Sequence, residues 1–331
     1  MIKILIMNKY HTTKENLKET IEKYGVAIIP NILDEKECKN MLDGIWDYFE
    51  KITKEWEIPI DKLKDDTWNQ IYKLYLLHSM LIQFWNIGQA QVSWDIRQNP
   101  KIIEIFIYFW KTQELLVSFD GLSFNLPPEK TNRGWYRKNW FHTDQSFMNN
   151  EFKCLQSWVT ALDVNEGDST LSFMESSNKY HKEFNEFYKI NKIKDKKSND
   201  YKKYKDDWYR LNEEEEKFYI DRGCLYNKII CKKGSLVLWD SRTIHCGVEA
   251  IKSREKPNIR AIIYLCYMPK SLYSKYQIEK KKKAFRELRT TNHWGTKLFP
   301  KHPRTYGKEL PNITNIEEPK LNDIGKKLAG F

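Results

Sequence analysis

No stretch of this chain approaches the roughly 18 consecutive apolar residues that a membrane-crossing helix needs, and the run Met1 to Met7 is too short for a secretory signal. Cysteine is scarce: Cys38, Cys154, Cys224, Cys231, Cys246 and Cys266 stand far apart, with no CxxC pair. That spacing argues against a disulfide-built scaffold, and fits reduced thiols in the core of an intracellular protein. No internal repeat and no domain-dividing linker interrupts the sequence. A soluble, cytoplasmic chain forming one domain over 1–331 is the expectation.

Aromatic residues are what the sequence has in abundance: 12 Trp, 19 Tyr and 16 Phe within a hydrophobic content of 40%. They imply a globular chain with a core rich in rings. Lys and Arg number 56 against 45 Asp and Glu, a formal net charge of +11. An excess of that sign favours anionic partners, such as nucleic acid, a phosphorylated metabolite or an acyl-CoA, although scattered lysines serve solubility equally well. The run Lys280–Lys283 lies on a basic amphipathic helix expected over 276–289, and reads most simply as its solvated face.

Helices come first along the chain, in a mainly helical cover over 14–113. Asp34 is placed as an N-cap with Glu37 at the capping-box position, and Cys38, Met41, Leu42, Ile45, Trp46 and Phe49 follow at helical spacing. A second amphipathic helix is expected over 68–86. From 114 to 268 the texture becomes that of short strands between turn signals. Pro127 and Pro128 make 122–128 an edge strand or a loop, because proline lacks the ladder donor. Residues 182–222 interrupt the pattern and read as a charged, solvated, helical insertion. A C-terminal helix and tail occupy 269–331. The sum is a mainly β, α+β chain with flanking helices, an antiparallel sandwich or barrel under helical cover. Trp94, Trp110 and Trp135 read as core or pocket wall.

Within the strand region, Trp140-Phe-His-Thr-Asp-Gln145 places an imidazole and a carboxylate two residues apart. On a strand, i and i+2 share a face, so His142 and Asp144 can point at one atom. His245, at the end of the apolar stretch from Ser235, is the best candidate for a third ligand. Two neutral imidazoles and a carboxylate leave open positions on an octahedral metal, the set that suits non-haem Fe(II) and O2 chemistry. Arg260 leads an apolar strand 15 residues later. A guanidinium there is costly to bury unless it binds an anion, and its fork fits a carboxylate. An HxD pattern is weak by itself, and a zinc hydrolase could use the same three residues. His181, after a turn, reads as structural, and His11, His78, His293 and His302 lack ligand-spaced partners.

These residues, taken with Tyr24-Gly-Val-Ala-Ile-Ile-Pro30, Gln156-Ser-Trp-Val-Thr-Ala-Leu-Asp163, Leu171-Ser-Phe-Met174 and Gly234-Ser-Leu-Val-Leu-Trp-Asp240, resemble the phytanoyl-CoA dioxygenase-like branch of the Fe(II)/2-oxoglutarate-dependent oxygenases. The likeness spans most of Tyr24 to Met268. It implies a double-stranded β-helix of jelly-roll form, with His142, Asp144 and His245 as iron ligands and Arg260 holding the far carboxylate of 2-oxoglutarate. Trp158 matches a family tryptophan beside that co-substrate, and Thr143 and Gln145 are placed within its reach. The implied reaction consumes 2-oxoglutarate and O2, releases succinate and CO2, and hydroxylates a small-molecule substrate by default, with ascorbate as an optional reductant. Two positions depart from the family pattern: Glu175-Ser-Ser-Asn178 replaces a Pro-Gly-Ser-His turn, and Leu126 stands where relatives carry a basic residue. The substrate is therefore not carried over. A jelly roll that binds a ligand without catalysis, and an oxygenase acting on nucleic acid, stay open beside this reading, as does the oligomeric state.

Overall fold

A computed structural model describes residues 9–78, 80–131, 140–252, 254, 256–303, 305 and 307–331. The run Met1 to Met7, and Trp135 with its assignment to core or pocket wall, lie outside these residues.

The chain forms strands β1 (Val26–Ile29), β2 (Leu81–Ile82), β3 (Leu115–Val117), β4 (Leu122–Asn125), β5 (His142–Thr143), β6 (Leu155–Thr160), β7 (Thr170–Met174), β8 (Tyr209–Arg210), β9 (Tyr226–Lys228), β10 (Leu236–Asp240), β11 (His245–Val248), β12 (Arg260–Leu265) and β13 (Tyr267–Pro269). They make a six-stranded sheet in the order β1-β10-β6-β12-β4-β2, a five-stranded sheet in the order β8-β5-β11-β7-β9, and a β13-β3 pair. Every pairing between these strands is antiparallel.

Alternation along the strands sets the layers. On one face of the larger sheet Leu155, Val159, Leu236, Leu238, Ala261 and Ile263 join a core with Leu17 and Ile21 of the helix Leu17–Tyr24, and with Met41, Ile45 and Phe49 of the helix Glu35–Thr53. On the other face Trp158, Val237, Trp239 and Ile262 pack with Leu171 and Phe173 of the second sheet. Two antiparallel sheets face to face, with helices outside the larger, give the jelly-roll form that the sequence led us to expect. The sheets do not close into a barrel among the described residues.

Local signals were accurate where they depend on neighbours in sequence. Glu37 N–H donates to Asp34 Oδ1 at 2.9 Å and Asp34 N–H to Glu37 Oε2 at 2.8 Å, a complete capping box. All six cysteines are free and buried. Trp94 is fully buried and Trp110 donates from Nε1 to the Tyr267 carbonyl at 2.9 Å.

Four expectations need correction. Residues 68–86 are not one α-helix: a 3₁₀ helix, Asp65–Leu74, ends where Tyr75 turns left-handed at φ 56°, and β2 follows. β4 lies inside the larger sheet, between β12 and β2, because Pro127 and Pro128 come after its last paired residue, Asn125. The insertion is not merely solvated. Phe184, Tyr204, Tyr209, Phe218 and Tyr219 form a buried cluster with Phe141 and Phe147, and β8 pairs with β5. Finally, Lys281 is fully buried within the run read as a solvated face, with its Nζ donating to the Val117 carbonyl and lying 3.6 Å from the Phe119 ring centroid. No helix among the described residues is long and apolar enough to cross a membrane.

Candidate metal centre

β5 and β11 are neighbours in the smaller sheet, with His245 directly opposite His142. Residues in register across an antiparallel pair present their side chains on one face, so both imidazoles leave the sheet together. Asp144 follows two residues after His142, and the period of two returns it to that side. His142 Nε2 lies 3.7 Å from Asp144 Oδ1, and His245 Nε2 3.3 Å from Asp144 Oδ2. One ligand atom from each of the three falls within 4.8 Å of the others. None of the three residues is more than 6% exposed.

The second nitrogen of each ring fixes its tautomer. His142 Nδ1 faces the Trp140 carbonyl at 3.0 Å, and His245 Nδ1 the Thr243 carbonyl at 2.9 Å. A carbonyl only accepts, so each Nδ1 carries the proton and each Nε2 turns its lone pair toward the cluster. Burial, reinforced by the neighbouring His245, lowers the His142 pKa and keeps that ring neutral. Burial acts to raise the Asp144 carboxyl, but neighbouring groups, His293 first, outweigh it and hold the group well below its ordinary range.

Elements far apart in the chain hold these ligands. Thr243 donates from Oγ1 to the Gly25 carbonyl at 2.9 Å. Gly25 caps the helix Leu17–Tyr24 at φ 80°, and a Cβ there would lie 2.6 Å from Thr243 Oγ1, so only glycine lets the helix end approach the loop before His245. Asp144 N–H donates to the Ser241 carbonyl, and the Asp144 carbonyl accepts from Trp294 Nε1, each at 3.1 Å. Gln156 Nε2 donates to Asp144 Oδ2 at 2.8 Å. Trp140 stacks on His142 at 4.7 Å and 10°, and His78 stacks on Trp140 at 4.1 Å and 12°. Trp208, half exposed on the insertion, lies 5.7 Å from the His142 ring.

Arg260 opens β12 on the inner face of the larger sheet and is 5% exposed. Its Nε donates to Ser123 Oγ at 3.1 Å and its Nη1 to the Ser169 carbonyl at 3.0 Å. Burial lowers its pKa, and the groups opposing that are the Tyr264 phenol and the Cys231 thiol rather than a carboxylate. Trp158 lies beneath the guanidinium, 5.3 Å from ring centroid to Cζ, and its Nε1 is buried without a hydrogen-bond partner among the described residues. A buried cation with neutral partners and an adjacent orphaned donor together form a place for an anionic oxygen group.

Thr143 and Gln145 are turned elsewhere. Thr143 Oγ1 donates to the Ser241 carbonyl at 3.0 Å, as its odd position between two ligands on a strand requires. Gln145 Nε2 donates to the carbonyls of Asn149 at 2.6 Å and Glu151 at 2.8 Å, and its Oε1 accepts from Ser241 Oγ at 2.9 Å. Both brace the loop that carries Asp144. His181 is structural: it is buried, stacks on Phe147 at 4.6 Å and places Nε2 3.2 Å from the Ser146 carbonyl. Sequence reasoning missed Gln156 and His293 as neighbours of Asp144. Gln156 could have been found, since it precedes Trp158 by two residues on the same face. His293 has no local signal.

No protein-family model matches the chain. It is 27% identical over 285 residues to Ava biosynthesis cluster protein O of Aspergillus versicolor, covering 85% of this chain and 87% of that protein. A shorter match, 27% identical over 139 residues, covers 40% of this chain and 38% of a Dictyostelium discoideum protein provisionally named phytanoyl-CoA dioxygenase. Among solved structures, a protein from Salmonella typhimurium LT2, provisionally described as an oxidoreductase, aligns with TM-score 0.56 at 12% identity over 100% of this chain and 90% of that one. That likeness shows a shared fold. The resemblance of this chain to the phytanoyl-CoA dioxygenase-like family, read first from its motifs, is borne out by the Dictyostelium relative.

Proposed function

We propose that the protein is an Fe(II)- and 2-oxoglutarate-dependent dioxygenase that hydroxylates a small molecule. The observation that carries this reading is the pairing of two features on facing sheets. His142, Asp144 and His245 converge with both Nε2 lone pairs directed inward. Arg260 waits on the opposite sheet without a carboxylate among its hydrogen-bond partners in the described residues. The metal cluster alone would suit zinc as well. A buried, unneutralised arginine beside Trp158 is what a dicarboxylate co-substrate needs and a hydrolytic zinc site does not.

His142, Asp144 and His245 would hold the iron, and Arg260 the distal carboxylate of 2-oxoglutarate, with the Trp158 indole as a wall and donor. When bound, the iron supplies the oxidation of the substrate C–H bond, coupled to conversion of 2-oxoglutarate and O2 to succinate and CO2. The residues of the chain keep the imidazoles in one tautomer, exclude water by burial, and fix the co-substrate by its far end. The name of the Aspergillus relative, taken from a biosynthesis cluster, supports a small-molecule substrate. The name of the Dictyostelium relative supports dioxygenase chemistry. Anaerobic titration with Fe(II) and 2-oxoglutarate should give a metal-to-ligand charge-transfer absorption, and O2 should then release succinate. Absence of both would remove the oxygenase reading.

A further inference from the structure

We infer that Gln156 is a positioning residue that confines Asp144 to one ligating oxygen. The inference rests on the iron and 2-oxoglutarate reading above. An octahedral ion that takes His142, His245 and a single carboxylate oxygen keeps three positions: two suffice to chelate a 2-oxo acid and one serves O2. If both oxygens of Asp144 bound the ion, one of those positions would be lost. The ligand set by itself does not choose between these arrangements.

The surroundings of Asp144 do choose. Gln156 Nε2 donates to Oδ2 at 2.8 Å, inside the sandwich, where Gln156 is 4% exposed. A charge-assisted bond of this kind draws Oδ2 toward the amide and takes one of its two lone pairs, which makes it the weaker second donor to an ion. Oδ1, 3.7 Å from His142 Nε2, accepts from no amide among the described residues and keeps its lone pairs for the ion, while Oδ2, 3.3 Å from His245 Nε2, is the oxygen that the amide restrains. The orientation of the Gln156 amide is fixed electrostatically, since the reverse would set its carbonyl oxygen against a carboxylate. Gln156 Oε1 then has no hydrogen-bond partner among the described residues although it is buried. That unpaired acceptor costs free energy, so packing alone does not account for a glutamine here. Gln156 leaves β6 on the same face as Trp158 and lies in register with Trp239 of β10, so the sheet that carries the co-substrate wall also holds the amide. The ligand Asp144 and the proposed co-substrate pocket are thus linked through one strand.

The test uses the full chain with Gln156→Met, which keeps length and bulk but removes the donor, and Gln156→Leu as a second form. Mn(II) affinity is measured by electron paramagnetic resonance, and 2-oxoglutarate affinity by the charge-transfer absorption of the anaerobic Fe(II) protein. We expect Mn(II) affinity to change less than about tenfold while 2-oxoglutarate binds at least about tenfold more weakly, the lower end of what outer partners of metal ligands contribute. Wild-type values for both ligands in a folded variant would overturn the inference. So would a parallel loss of both, or failure of both variants to fold, since each would make the amide a general structural requirement. Wild-type protein that binds no metal and shows no absorption would overturn the reading of the site itself, and this inference with it.

Discussion

His142 and His245 lie opposite one another across β5 and β11, with ring centroids 4.4 Å apart. The pairing joins residues separated by about a hundred positions, and it turns an HxD pattern that is weak in isolation into three converging donors. The same strand, β11, is bordered on its other side by β7, with Phe173 in register with His245. The candidate metal site is therefore built into the rungs of the smaller sheet, while the proposed anion pocket belongs to the facing one.

Arg260 offers the sharpest test. Arg260→Met should fold and bind Fe(II), since the aliphatic stem is replaced by one of similar bulk. Its affinity for 2-oxoglutarate should fall by roughly 30-fold to several thousand-fold, equivalent to about 2 to 5 kcal/mol for a buried charge-assisted pair. Equal affinity in the two proteins would remove the co-substrate role.

Asp144→Ala should abolish retention of Fe(II) and formation of succinate. The substitution removes the anionic donor but leaves the backbone bonds to Ser241 and Trp294, so circular dichroism should be unchanged. Undiminished turnover in a folded variant would rule Asp144 out.

The insertion should behave as core. Phe184 is fully buried and stacks on Phe147 at 4.1 Å, and Phe147 lies in the loop that follows Asp144. Phe184→Ala is expected to cost about 3 to 5 kcal/mol in denaturant unfolding. A cost below about 1 kcal/mol would restore the picture of a detached, solvated segment.

Acid should destabilise the protein through His181. Burial first, and the charge of Arg242 in addition, depress its pKa from 6.5 to about 4. The unfolded chain binds this proton more readily, so the contribution is fully present above about pH 6.5 and is lost as pH falls toward 4. The full difference is about 3 kcal/mol. His181→Gln should flatten the dependence of unfolding free energy on pH in that window, and an unaltered slope would show that other groups govern it.

Much of the site was legible because the relevant rules are local. The two-residue period of a strand puts His142 and Asp144 on one side whatever surrounds them, and Arg260 at the head of an apolar strand is anomalous on sequence grounds alone. Capping chemistry at Asp34 and Glu37 is equally local. The antiparallel sandwich with helical cover followed from short β-rich runs after amphipathic helices.

Tertiary structure decided the rest, because register and long-range contact are properties of the assembled sheets. Only the folded cluster shows that Phe184, Tyr209 and Tyr219 form a core with Phe141, beside the strand that carries His142. Only folding brings Trp294 to the Asp144 carbonyl and the Gly25 carbonyl to Thr243. A lysine in a basic run can be surface or interior, and the approach of Phe119 and the Val117 carbonyl placed Lys281 inside. In the sequence Gln156 shares a strand face with Trp158, but nothing there names its partner. Its meaning came from the 2.8 Å that separate its amide from the carboxylate of Asp144, a distance set by the packing of one sheet on the other.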